Sequence, residues 1–240
     1  MQYYLTIWSL LFGLVIGSFL NVVIYRVPRR ESLVRPGSHC PGCGMAIRWH
    51  DNIPVLSWLL LRGRCRGCGQ PIAIRYPLVE ALTGIGFLAA YLLVGIQPAV
   101  LLAWFVIAVI VTLAFIHHDH GVIPDRLALP AAAIGLASAI ALDPEHWWYY
   151  LAGCAGTGIL ALLLSFLDAG LTGFSDAKVA LLMGAVFGPY SLVAPPLGLV
   201  VRIVSRNVSS LCAKRPIKSK DGVGAVQDRQ GYEGQRGSCS

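Results

Sequence analysis

Tyr4 to Tyr25 reads YLTIWSLLFGLVIGSFLNVVIY, without a charged side chain from end to end. As a helix this stretch rises about 33 Å, enough to cross roughly 30 Å of hydrocarbon. No basic residue precedes it and no small-residue cleavage pattern follows, so it reads as a retained transmembrane helix rather than a signal peptide. Further apolar runs fit Leu78 to Val94, Val100 to Ile116, Leu127 to Leu142 and Trp147 to Leu167. A less regular one, Ala177 to Val204, is interrupted by Gly188-Pro189 and Pro195-Pro196, as a kinked helix or a helix plus an incomplete second one would be. With 56% hydrophobic and only 13% charged residues, the chain falls outside the soluble balance. The expected fold is an all-α polytopic membrane protein with about six to seven transmembrane helices.

Charge then orients the spans. Nine of the 19 basic residues lie from Arg26 to Arg75, and none lies from Tyr76 to Asp125 or from Leu127 to Ala177. The positive-inside rule makes the first long loop cytosolic and puts the amino terminus outside. Helix parity returns His117 to Arg126 and Asp168 to Lys178 to the same cytosolic face. Residues 1–25 are thus a first span and 26–76 a loop domain, 77–204 the remaining membrane domain, and 205–240 a polar tail with little to bury, expected to be disordered. No internal repeat or heptad pattern is present.

Within the loop, Cys40-Pro-Gly-Cys43 and Cys65-Arg-Gly-Cys68 stand about 20 residues apart, the spacing of a tetrahedral structural zinc site. Disulfides are the competing reading, but a cytosolic loop is kept reducing. A loop this small lacks a core, so the metal supplies folding energy, and four filled ligand positions leave none for a catalytic water. Arg48, Arg62, Arg64 and Arg66 lie between the cysteines. They read better as contacts to anionic lipid headgroups than as a nucleic-acid surface, and no nucleic-acid partner is expected. Cys154 reads as a packing residue in an apolar span, and Cys212 and Cys239 have no pairing logic.

There are only 12 acidic residues. Asp119 and Asp125 lie in HHDHGVIPD, residues 117–125, and Asp176 in GFSDAK, residues 173–178, all at cytosolic span ends. Carboxylates at membrane level are costly and point to function. Two of them could share a proton, one ionised to activate water and the other protonated to polarise a carbonyl. Each also has a structural reading: Asp125 as the cap of a helix after Pro124, Asp176 as a first-turn charge on a helix dipole. His117, His118 and His120 could instead bind a transition metal with Asp119, although no HExxH is present.

Several stretches together resemble one family: GSFLNVVIYRVP at Gly17–Pro28, HCPGC at His39–Cys43, DNIPVLSW at Asp51–Trp58, GRCRGC at Gly63–Cys68 and RYPLVE at Arg75–Glu80. The chain resembles the type IV prepilin leader peptidases, membrane aspartyl proteases of the GxGD kind. The resemblance implies a multi-pass enzyme of the bacterial inner membrane that binds prepilins or pseudopilins and cuts their basic leader at the cytosolic face. It also implies, in many members, methylation of the new amino terminus with S-adenosylmethionine; no glycine-rich nucleotide fingerprint here speaks to that.

By resemblance Asp176 is the second catalytic aspartate, with Gly173 and Lys178 retained and Ser175 at the family's second glycine. At the first catalytic position stands His117, so Asp119 is the candidate partner, two residues along and about 200° around a helix; it can substitute only where the helix has ended or unwound. The polar tail soon after Val204 reads as a shortened carboxyl end. Glu80 is a further candidate to face the substrate groove. An alternative follows from His117 and the shortened end: a catalytically impaired homologue that binds pilin-like substrates without cutting them.

Overall fold

A computed structural model describes residues 2–35, 37–121, 123–167 and 174–188, with side chains excepted at 164–167 and 174–176. The tail expected over 205–240 and the segment around Asp168 lie outside these residues. Seven α-helices follow in order: α1 (Gln2–Arg26), α2 (Leu56–Leu60), α3 (Arg75–Val94), α4 (Ala99–His120), α5 (Asp125–Leu142), α6 (Trp147–Leu167) and α7 (Phe174–Phe187). The described residues contain no β-strand, only the isolated bridges His39 to Ala46 and Arg64 to Pro71. The fold is all-α.

Among the described residues, α1, α3, α4 and α5 are long and apolar enough to cross a membrane. Their limits follow local chemistry. α1 ends at Arg26, just before Pro28, and α3 carries Pro77 in its first turn, where the missing N–H has no intrahelical partner to lose. α4 runs four residues beyond the expected Ile116. The hydropathy of the sequence stops there, but the backbone ladder is indifferent to polarity and continues through His120. It closes at Gly121, whose φ of 70° is left-handed and whose N–H donates to His117 O at 2.7 Å.

Helix α1 packs most extensively on α3, and α6 on α7; α4 contacts α1, α3 and α5, and α5 contacts α7. Apolar burial alone drives little association between helices in lipid, so close backbone approach matters more. Gly13 and Gly17 supply it on α1: a Cβ at Gly13 would fall 2.8 Å from Gly84 Cα, and one at Gly17 would fall 2.7 Å from Glu80 Cα. The α6–α7 contact uses the same device, since a Cβ on Gly184 would lie 2.5 Å from Gly153 O. There the Thr157 hydroxyl, fully buried, lies 2.7 Å from Gly153 O on its own helix and 2.9 Å from Ala180 O on α7. Cys154 sits in this contact, its Cα 2.8 Å from the same added Cβ, as a packing residue would.

At the end of the helices that bears the four-cysteine loop, Leu20, Ile24, Val79 and Ile116 form a buried cluster joining α1, α3 and α4. A second cluster of Leu113, Ile123 and Ala128, with Val179 packed on it, pins the α4–α5 turn against α7.

Replacing Gly13 with Val forces α1 and α3 apart and is expected to cost about 1–3 kcal/mol in unfolding measured in micelles. Val15→Ala, on the exposed side of α1, is expected to change stability by less than about 0.5 kcal/mol.

Candidate functional site

Each CxxC pair sits in the same turn. Cys40 N–H donates to Met45 O at 2.9 Å and Gly44 N–H to Cys40 O at 2.9 Å; twenty-five residues on, Cys65 N–H donates to Gln70 O at 2.8 Å and Gly69 N–H to Cys65 O at 2.9 Å. Gly44 (φ 69°) and Gly69 (φ 71°) occupy the left-handed position that closes each turn, which accounts for a glycine immediately after the second cysteine. The four sulfurs lie within 4.8 Å of one another, with Cys40 Sγ 3.8 Å from Cys68 Sγ. A metal with four thiolates at about 2.3 Å in a tetrahedron requires sulfurs about 3.8 Å apart, so this donor set fits one.

Backbone N–H groups of Cys68 and Gly67 draw the Cys65 thiol down to about 6. Cys68 also has an N–H donor, from Gln70, but desolvation and the neighbouring thiols push it on balance up to about 11. The turns are tied to the rest of the loop by Arg66, which donates to Asp51 through Nε at 3.0 and 3.1 Å and through Nη2 at 2.7 Å. That guanidinium holds the Asp51 carboxyl below its ordinary range.

Helix α3 anchors the loop. Glu80, only 9% exposed, accepts the Val55 N–H at Oε2 over 2.7 Å, and the Asn21 amide of α1 donates to Tyr76 O at 3.1 Å. Glu80 thus holds the loop. An acidic residue in an apolar run signalled a partner, but not which one.

The remaining candidates gather where α4 ends and α5 and α7 begin. Asp119, in the last turn of α4, forms an ion pair with Arg75 at the start of α3, and His118 Nδ1 lies 3.4 Å from its other oxygen. Asp125, in the first turn of α5, pairs with Lys178 of α7, whose Nζ also donates to Ile123 O at 2.9 Å. The structure therefore places the two described carboxylates in separate ion pairs, on Arg75 and on Lys178. Asp176 and Ser175 stand in the first turn of α7, and their side chains lie outside the described residues. Among the described residues, the four cysteines are the one metal-type grouping; His117, His118, His120 and Asp119 do not form another.

Sequence reasoning missed Arg75 and Lys178 as partners. A signal was present: each borders a long stretch free of Lys and Arg.

A model described as the bacterial peptidase A24 N-terminal domain matches residues 11–94, and one described as the type IV leader peptidase family matches 100–212. A prepilin leader peptidase/N-methyltransferase of Myxococcus xanthus is 48% identical over 143 residues, covering 60% of this chain and 43% of that protein. The type 4 prepilin-like proteins leader peptide-processing enzyme of Escherichia coli is 33% identical over 252 residues, covering 89% and 90%. A prepilin leader peptidase/N-methyltransferase of Neisseria gonorrhoeae is 35% identical over 232 residues, covering 81% and 80%. No solved structure matches. Likeness over most of both chains, joined to a membrane bundle with a four-cysteine loop and acidic helix ends, has one consequence: the chain belongs to the type IV leader peptidase family.

Proposed function

We propose that the chain is a membrane aspartic endopeptidase that removes the basic leader of type IV prepilins or pseudopilins at the cytosolic face of the bacterial inner membrane. Its amino terminus lies outside, residues 26–76 form the cytosolic loop domain, and 77–204 form the peptidase domain, with six to seven spans in all. The observation that supports this reading is the Asp125–Lys178 ion pair, which ties the start of α5, six residues after Asp119, to α7 two residues after Asp176.

Asp176 and Asp119 form the acid/base pair. The ionised member takes a proton from water as that water attacks the scissile carbonyl; the protonated member donates to the carbonyl oxygen, and no acyl-enzyme forms. Because α4 stays helical through His120, Asp119 serves only when the last turn opens and the contact with Arg75 is exchanged. That turn ends on the single Gly121 to His117 bond, and terminal turns are the first to fray.

The same observation favours a second reading, an impaired homologue. His117 occupies the sequence position of the family's first aspartate, and a histidine cannot carry the negative charge that such a pair shares. Losing a dyad member costs several powers of ten in rate.

Cys40, Cys43, Cys65 and Cys68 hold zinc, which supplies folding energy to the loop and, with four ligands, no catalytic water. Methyl transfer from S-adenosylmethionine is suggested by the relatives' names. The cavity of about 600 Å³ among α1, α3 and α4, lined by residues such as Trp8, Phe12 and Trp104, is too apolar to suit that charged donor.

Two experiments test these statements. Purified protein should contain about one zinc per chain, lost in a Cys43→Ser, Cys68→Ser variant together with resistance to trypsin at Arg48, Arg62 and Arg64. Membranes containing the chain, mixed with a pilin precursor, should release the leader, and Asp119→Ala and Asp176→Ala should each abolish release. No release from the parent chain, with release appearing in His117→Asp, would establish the impaired homologue instead.

A further inference from the structure

Helix α2 has two unlike sides. The Ser57 hydroxyl is buried, donating to His50 O and accepting the Ile53 N–H, both at 2.9 Å, while the Trp58 indole donates to Ile72 O at 3.0 Å. The other side holds Leu56, Leu59 and Leu60, spaced i, i+3, i+4 and therefore on one face. They are 48%, 58% and 73% exposed. Trp49 and Ile74, also in the loop, are exposed as well. A helix of five residues has no reason to show three leucines to water when its other face is fully hydrogen-bonded.

Its depth explains them. The Val55 N–H immediately before α2 donates to Glu80, which lies five residues into α3, about 7.5 Å along a helix axis. Val55 takes a φ of 59°, a left-handed conformation costly for a β-branched residue, and its N–H reaches Glu80 from that conformation. The start of α2 is thus tied at a level about one and a half turns inside the polar end of a membrane-spanning helix. Amphipathic elements that lie in the membrane interface sit about 5–10 Å deep, which is this level.

Charge completes the match. Arg62 and Arg64 follow α2 directly and are exposed, whereas Arg66 is occupied by Asp51. Arg62 itself takes a left-handed φ of 52° as the helix ends, with Gly63 N–H donating to Trp58 O at 2.8 Å. Leucines on the face and arginines at the end are the pairing that an anionic leaflet takes up, chain beneath and phosphate above.

We propose that α2 is an interfacial anchor: Leu56, Leu59 and Leu60 enter the acyl boundary of an anionic leaflet, Arg62 and Arg64 bind its phosphates, and Glu80 sets the depth. The four-cysteine loop is thereby held on the membrane surface. This rests on reading α1 and α3 as spans with the loop at their cytosolic ends, and it adds to the proposed peptidase activity without depending on it.

The test uses the full chain in phosphatidylglycerol/phosphatidylcholine vesicles carrying a lipid with a diazirine near the glycerol end of its acyl chain. After irradiation of the zinc-loaded protein, chelation and denaturation open the loop to trypsin, and the label is located by mass spectrometry in the peptide that begins at Trp49: 49–62, or 49–66 where Arg62 and Arg64 are replaced. The expected result is label on residues 56–60. It should fall to background in Leu59→Asn, Leu60→Asn, and fall in Glu80→Ala but not in Glu80→Gln, whose amide oxygen still accepts the Val55 N–H. Vesicles without phosphatidylglycerol, or Arg62→Gln with Arg64→Gln, should lower it with the zinc content unchanged. Label on α1 and α3 peptides with none on 49–62, in zinc-loaded protein, would overturn the proposal and leave the leucine face to a protein partner. Because cleavage is not the readout, that result would not bear on the peptidase reading.

Discussion

The contact on which the rest of the molecule depends is the backbone-to-backbone crossing of α1 and α3 at Gly13, Gly17 and Gly84. Lipid removes the usual advantage of burying apolar surface between helices, so this association rests on how closely the two backbones approach. With no Cβ at those positions, Asn21 on α1 comes within reach of Tyr76 O on α3. The two ends of the four-cysteine loop, at Arg26 and Arg75, are thereby brought near one another. A loop closed at its base loses much of the entropy it would otherwise spend on folding, and the two cysteine turns can meet around one ion.

The same crossing sets the polar end of α3. Arg75 begins that helix and reaches Asp119 on α4, while Glu80 takes the Val55 N–H. One helix therefore carries both the partner of a candidate catalytic carboxylate and the anchor of the four-cysteine loop. The four-cysteine loop and Asp119 are thereby joined mechanically through α3. On the far side the Asp125–Lys178 pair does for α5 and α7 what Asn21 does for α1 and α3, with Ile123 packed beneath it.

Much of this was legible in the sequence because it is local. Uninterrupted apolar runs announce spans, and a CxxC turn followed by glycine announces its own geometry. The extension of α4 past Ile116 was not legible, because hydropathy tracks lipid while the helix follows its backbone ladder to Gly121. That difference bears directly on the site, since it leaves His117 and Asp119 on different sides of an intact helix. The partners Arg75 and Lys178 were equally hidden: they lie 44 and 53 residues from the carboxylates they meet, distances over which no periodic pattern carries information. Glu80 stood out as an acid in an apolar run, yet only the fold supplies its partner.

The central structural claim is that the α4–α5 turn and the first turn of α7 converge, since the proposed acid/base pair has no meaning if they do not. The direct measurement replaces Asp125 and Lys178 by cysteine in a chain lacking Cys154, Cys212 and Cys239, oxidises the membranes mildly, and maps disulfides by mass spectrometry. The account predicts a 125 to 178 disulfide in zinc-loaded protein. Two thiols that alkylate readily but never join would contradict it.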